Sequence, residues 1–349
     1  MTRPFVLERR TALTLAGLAA ALVVALVVPF YSSTYWNYQL SMIFVWAIAA
    51  YGLNLVTGYL GQISLGHGAF FAAGAYLLIW GVEDQGLPLA VVLAIAAVAT
   101  LVAGYAVGTP ALRLRGLYLA MLTLALGVGV LPVLKRMEGL TGGVTGRNVT
   151  QPEAPSWLSA APDQYVYLLC LLMLVGTALL ARRLARGELG RSLVAIRENE
   201  TVAAAQGIDV ARHKQLAFAI SAMLAGLAGA MYAMVVGYVS PNAFGIFLGI
   251  NLLVAVVAGG MGTLLGPLLG AVFIQLLPIA AGEVDQALSG MAYGVFLIVA
   301  MLAMPLGLVG LGRSVADRAS ARRAVRGAGA RSRGSDGSGE DPVVEAARS

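Results

Sequence analysis

The chain has 349 residues, 59% of them hydrophobic and only 11% charged, with a net charge of +6 and a mean hydropathy of +0.83. Soluble domains carry roughly 25% charged residues, whereas neither Tyr31–Val82 nor Gln215–Gly282 contains a single Asp, Glu, Lys or Arg. A soluble protein is excluded, and the chain reads as an all-α polytopic membrane protein. A positive balance would suggest nucleic acid in a soluble protein. Here the positions of the charges matter more than their sum, and no nucleic-acid partner is expected.

The chain opens with Arg9 and Arg10 and an apolar run from Thr11 to Phe30. This resembles a signal peptide, but the run is long and no small-residue cleavage site follows, so it is read as an uncleaved first span after a cytoplasmic stretch 1–10. Further spans are predicted at 36–56, 62–80, 87–108, 117–134, 164–181, 215–236, 242–258, 264–281 and 289–307. Glycine interruptions leave the total between eight and ten, and both ends fall on the same side. With the N-terminus inside, every Lys and Arg except Lys135, Arg136 and Arg147 lies inside. Glu83, Asp84, Glu138, Glu153, Asp163, Glu283 and Asp285 all lie outside. That asymmetry supports cytoplasmic termini. The membrane domain thus covers 11–310, with a polar cytoplasmic segment at 183–214. The tail 313–349 is rich in Arg, Ala, Gly and Ser and reads as disordered and cytoplasmic. It either rests on anionic membrane lipid or is simply solvated.

Two glycine-rich stretches interrupt apolar helices. In GYLGQISLGHGAFFAAGAY, Gly58–Tyr76, the glycines, including Gly61 and Gly66, bring Gln62, Ser64 and His67 to membrane depth. Irregular backbone there must be buried in protein or face water. The stretch is either a pathway lining or gate, or a place of close helix packing with His67 hydrogen-bonded internally. A partial echo, AGGMGTLLGPLLG at Ala258–Gly270, carries Gly262, Gly266 and Gly270 on one small-residue face, and Asn54 and Asn251 precede the two stretches in similar places. Such paired interruptions point to a transport site, while the safest meaning of the small face is helix packing. The same meaning holds for Ala222, Gly226 and Ala230.

The polar segment GELGRSLVAIRENETVAAAQGIDVARHK, Gly187–Lys214, is too charged to cross a membrane. Ser192 is predicted to cap a first short helix with Leu193 and Ile196 on one face. Asn199 is predicted to cap a second, with Glu200 in its first turn and Gly207 just past its end. Each is too short to persist alone in water. The membrane surface, the rest of the chain or a partner must hold them. Leu193, Ile196 and Val202 make only a weak face for the membrane surface, which favours a partner.

No catalytic or phosphate-binding apparatus is visible. The histidines, His67 and His213, are far apart; Cys170 is alone; the two lysines, Lys135 and Lys214, follow no glycine-rich phosphate loop. The chain is not expected to be an enzyme or to bind a cofactor or metal, and any ATP would be used by partner subunits. The lack of Asp, Glu or Arg within the spans argues against an ion-coupled secondary transporter.

Taken together, several stretches carry a resemblance. They are TGYLGQISLGHGAFFAAGAY, ALRLRGLYLAMLTLA, LTGG at Leu140, GRSLVAIRENETVAAAQGIDVARHKQLAFAISAMLAGLAGAMYA and GGMGTLLGPLLGA, in that order over residues 36–310. The chain resembles the permease subunits of bacterial branched-chain amino acid ABC importers, of the LivM type. The resemblance implies import of branched-chain amino acids across the bacterial cytoplasmic membrane. The implied partners are two ATPase subunits, a second permease subunit and an external solute-binding protein. Related permeases carry urea, short amides or other small polar solutes, a reading that stays open. The resemblance also implies that a cytoplasmic loop with an E-A-A…G pattern docks into the ATPase. Glu200, Ala203, Ala204 and Gly207 are its nearest equivalents here. Arg191, Arg197, Glu198, Glu200 and Gly207 are the expected coupling residues.

Overall fold

A computed structural model describes residues 20, 22–111, 116–155, 160–282, 294 and 307–310. The expected last span, 289–307, apart from residues 294 and 307, the start of the first span and the tail 313–349 lie outside the described residues. Helices α1 (Leu22–Tyr31), α2 (Thr34–Asn54), α3 (His67–Ile79), α4 (Leu89–Ala111) and α5 (Leu117–Arg136) open the chain. A short helix α6 (Glu138–Thr141) precedes α7 (Pro162–Arg186). The polar segment forms α8 (Glu188–Glu198) and α9 (Glu200–Ala205), and α10 (Val210–Val236), α11 (Ile246–Gly259) and α12 (Gly266–Gly282) follow. Five described helices are long and apolar enough to cross a membrane, counting α2 with its π-helical extension to Tyr59. The all-α polytopic fold expected from the sequence is present.

Helix α2 is the axis of the molecule. Its apolar window is 89% buried, against 22% for α4 and 28% for α5, so α4 and α5 form the rim and α2 and α10 the centre. Both faces of α2 are apolar because both meet protein, on α7, α10, α11 and α12. Side chains are too bulky for the closest crossings. A Cβ on Gly74 of α3 would lie 1.8 Å from the Gly226 carbonyl oxygen of α10, and one on Gly229 would lie 1.8 Å from that of Phe71. Gly226, Ala222 and Ala230 are therefore a packing face, as read from their spacing. Gly270 likewise lets α12 approach the Ala255 carbonyl of α11.

The small-residue face of Gly262, Gly266 and Gly270 needs correction. Gly262 is not helical: it has φ +69° in the turn 260–265, and α12 begins only at Gly266. The echo between the two glycine stretches is likewise not a repeat of roles. Asn54 lies at a helix break, whereas Asn251 lies inside α11.

A two-residue antiparallel ribbon joins β1 (Arg147–Asn148) to β2 (Tyr238–Val239). The LTGG motif shapes the turn before it, with Gly142 and Gly143 both at positive φ and the Thr141 hydroxyl donating to the Leu134 carbonyl at 2.8 Å. Replacing Gly229 with Ala is expected to lower stability by roughly 1–3 kcal/mol through overpacking. Replacing Gly176, whose missing Cβ would meet nothing within 4 Å, should be neutral or slightly stabilising. Thermal unfolding of the two variants in detergent checks this.

Candidate functional site

The polar segment is built differently at its start than its capping residues suggest. Ser192 does not cap α8. Helix α7 runs on to Arg186, one extended residue, Gly187, separates it from α8, and Ser192 is buried inside α8. No room remains for a loop that would place Ser192 at a helix start. The second helix follows the sequence reading. The Asn199 side chain accepts from the Thr201 and Val202 amides at 3.0 and 3.1 Å. Gly207 sits at φ +85° past the end of α9. The Gly207 and Ile208 amides donate to the Ala204 and Ala203 carbonyls, closing a Schellman motif.

Of the three supports available to these short helices, the structure shows the chain itself. Leu193 and Ile196 of α8 and Ala203 of α9 are buried with Leu55, Val56 and Phe218 in a small core separate from the main one. Burial of Leu193 and Ile196 contributes roughly 1.5–3 kcal/mol each. Lys214 of α10 is buried and pairs with Glu200 at 2.9 Å. Glu200, expected to face a partner, is thus tied to its own chain, because a buried lysine needs a carboxylate beside it. Arg191 donates to the Arg186 carbonyl at 2.9 Å. The outward surface holds Arg191, Val194, Glu198, Val202, Ala204 and Gly207, all exposed.

The inner end of α2 unwinds into a π-helical turn, Leu55–Tyr59. The Leu60 and Gln62 amides return to the Leu55 and Val56 carbonyls. Because the chain then leaves the helix, the Gly58 carbonyl has no helical partner. Arg197 of α8 supplies one: its Nη1 donates to Gly58 O at 2.7 Å, a cation at a helix C-terminus. Gly61, at φ +75°, lies under the arginine stem, where a Cβ would come 2.8 Å from Arg197 Cγ. Asn54 bridges to the second break: it accepts from the Gly262 amide at 2.9 Å and donates to the Thr263 carbonyl at 3.0 Å. Arg197, Gly61 and Gly262, chosen from separate stretches of sequence, therefore meet at one point. Asn54 and Thr263 complete it. The sequence marked Asn54 only by its position before a glycine stretch.

Beyond the break, the irregular stretch 60–66 leads to α3. Ser64 and His67 are buried there and join α3 to α10 and α2. The Ser221 hydroxyl donates to Gly52 O at 2.5 Å, so His67 Nε2 donates to Ser221 Oγ at 2.6 Å and the Ser64 hydroxyl donates to Nδ1 at 3.0 Å. Both ring nitrogens are used inside the protein, which is the packing reading of His67. Gly66 lets this stretch approach the Thr123 carbonyl of α5, and the Leu65 amide donates to Thr123 Oγ1 at 3.1 Å. Gln62 differs: its Oε1 is buried with no hydrogen-bond partner among the described residues. Gly266, at the start of α12, packs against Gly260 and donates to Thr263 Oγ1 at 3.0 Å.

Arg147 grips Asp84 with two bonds, of 2.5 and 2.8 Å. The sequence treated both only as outer charges. Hydrogen bonding to Arg147 holds the Asp84 carboxyl below the usual carboxylate range.

Residues 35–305 match the model of the family described as branched-chain amino acid transport system / permease component. The chain belongs to this family. It is 32% identical to the high-affinity branched-chain amino acid transport system permease protein LivM of Salmonella typhimurium over 85% of this chain and 75% of that one. LivM of Escherichia coli matches at the same identity and coverage. BraD, the corresponding permease protein of Pseudomonas aeruginosa, is 26% identical over 76% of this chain and 91% of its own. No solved structure matches the chain at a significant level. The matched span holds every residue of the inner junction. This member of the family is a multi-pass membrane permease, a component of a transport system.

Two outcomes are expected. Ser221→Ala should leave the buried His67 Nε2–H unpaired and cost about 1–3 kcal/mol, seen as a lower unfolding temperature in detergent. Asp84 contributes stability above its unfolded pKa of about 3.9 and loses it as pH falls toward its lower folded value. The stability difference between the wild type and Asp84→Asn should therefore be constant near neutrality and shrink below about pH 4, as followed by thermal unfolding across pH.

Proposed function

We propose that this permease imports branched-chain amino acids across the bacterial cytoplasmic membrane, with partner ATPases supplying the energy. The observation that carries this reading is the inner junction. A cytoplasmic helix pair with an exposed outer surface is bonded through Arg197 to the point where two broken helices meet. A push on that surface reaches irregular backbone inside the membrane. The family and the names of the relatives support the cargo class.

The partners follow from surfaces the chain leaves open. Val194, Val202 and Ala204 of α8 and α9 are exposed beside Arg191, Glu198 and Gly207. This small, mixed patch fits the cleft of an ATPase subunit. On the membrane side, Gly61 and Ile63 are exposed in the irregular stretch, which is bonded to α5 through Leu65 and Thr123, and Tyr118 and Met121 of α5 are exposed as well. Lipid does not satisfy irregular backbone, so this face suits a second permease subunit with a water-filled path between the two. The unpartnered Gln62 Oε1 lies in the same stretch. ATP is then bound by the ATPases and the solute delivered by an external binding protein.

Ala204→Arg adds a bulky charge to the exposed face of α9 without touching the buried one. It is expected to abolish copurification of ATPase subunits and to reduce ATP-dependent leucine uptake in proteoliposomes by at least tenfold, about 1.4 kcal/mol or more of coupling, with membrane insertion unchanged. Leucine uptake by the purified chain alone, or an Ala204→Arg complex that keeps its ATPases and its uptake, would refute the reading. ATP-driven uptake of urea or a short amide in place of leucine would reassign the cargo.

A further inference from the structure

We propose that Arg197 is a positioning residue that makes the coupling rigid: it acts as a strut between α8 and both helix breaks, and not as a contact to the ATPase. This rests on the reading of α8 and α9 as the ATPase-facing segment, and deepens it.

The apolar core under α8 and α9 cannot by itself transmit a directed movement. Contacts such as Leu193 and Ile196 against Leu55 and Phe218 are non-directional, and a helix can slide across them at little cost. A hydrogen bond loses most of its strength when its angle falls toward about 120°, so it resists sliding. The Arg197–Gly58 bond, 2.7 Å long, is such a link, and it does not end at Gly58. One turn earlier on α2, Asn54 holds the second break with two bonds, to the Gly262 amide and the Thr263 carbonyl. Thr263 in turn donates to Gly260 O at 2.8 Å and accepts from the Gly266 amide at 3.0 Å, the first residue of α12. Tyr51 adds a third bond from α2 to the same turn, to Leu264 O at 2.8 Å. A continuous set of directional bonds thus runs from α8 through the end of α2 to the start of α12.

Three glycines exist around this set to leave room for two side chains. A Cβ on Gly58 would lie 2.1 Å from Asn54 Oδ1 and one on Gly61 would lie 2.8 Å from Arg197 Cγ. One on Gly262 would lie 3.2 Å from Gly58 O, with Arg197 Nη1 at 3.8 Å. Gly61 and Gly262 also need positive φ. The glycines of both stretches are explained by the strut that passes between them. Arg191 and Arg197 are both exposed, but they are bonded differently: Arg191 donates to the neighbouring Arg186 carbonyl, whereas Arg197 donates across the chain to Gly58 at the helix break.

The test uses the intact complex purified through its ATPase subunits and reconstituted in liposomes, with ATP hydrolysis and leucine uptake measured together. Arg197→Met keeps an unbranched stem over Gly61 and removes the donor. The strut predicts that this variant retains its ATPase subunits and its hydrolysis, while leucine moved per ATP falls at least tenfold. Arg197→Lys restores a donor and should recover uptake per ATP to within about threefold of wild type, since one charge-assisted bond is regained. Asn54→Ala should show the same uncoupling, and the double variant should be no worse than the poorer single one, because both act on one path. Wild-type uptake per ATP in Arg197→Met overturns the proposal. So does loss of the ATPase subunits from that variant, which would make Arg197 a docking contact, and so does an Arg197→Lys variant as uncoupled as Arg197→Met. Failure of the unmutated chain to copurify with any ATPase is a separate result, seen before any variant is made, and removes the underlying reading together with the strut.

Discussion

In a bilayer no water is available to backbone amides and carbonyls, so a helix can break there only if the protein supplies the missing partners. Everything distinctive in this chain follows from that constraint. The break after Tyr59 is held by π-type backbone bonds, by Arg197 on Gly58 and by Thr123 on Leu65. The break after Gly259 is held by Asn54, Tyr51 and Thr263. His67, Ser64 and Ser221 then pin the restart of the helix to its neighbours. At both breaks the polar side chains that serve the irregular backbone are mostly neutral, and Arg197 is the charged one.

The same constraint explains the division of labour in the polar segment. Helices α8 and α9 are too short to persist alone, and the chain stabilises them with a small core of its own and a buried Lys214–Glu200 pair. A preformed pair of helices presents a fixed surface, and a fixed surface bonded to a helix break can pass on a displacement. Stability and signal therefore use different residues. Leu193 and Ile196 hold the helices in place, and Arg197 joins them to the break.

Much of this was legible in residue order. Apolar runs marked the membrane helices, and Asn199 and Gly207 marked the ends of α9 because capping chemistry is local. The glycine stretches marked the breaks. What was not legible was contact across the chain. Ser192 looked like a cap because its hydroxyl could serve one, but the continuation of α7 to Arg186 left it inside a helix. Glu200 looked free for a partner because Lys214 lies fourteen positions away, beyond a turn whose direction residue spacing does not specify. Gly262, Gly266 and Gly270 looked like one helical face because a four-residue interval reads as helix until φ at Gly262 is known to be positive.

By itself the sequence determined that this is a polytopic, helical permease with two glycine-broken stretches, because hydropathy and family motifs are properties of residue order. Only the tertiary structure decided that the two breaks touch, that Asn54 joins them, and that Arg197 donates to the Gly58 carbonyl. Those facts depend on which residues, some 140 and 200 positions apart, are brought within hydrogen-bond reach, and no local pattern encodes such a distance.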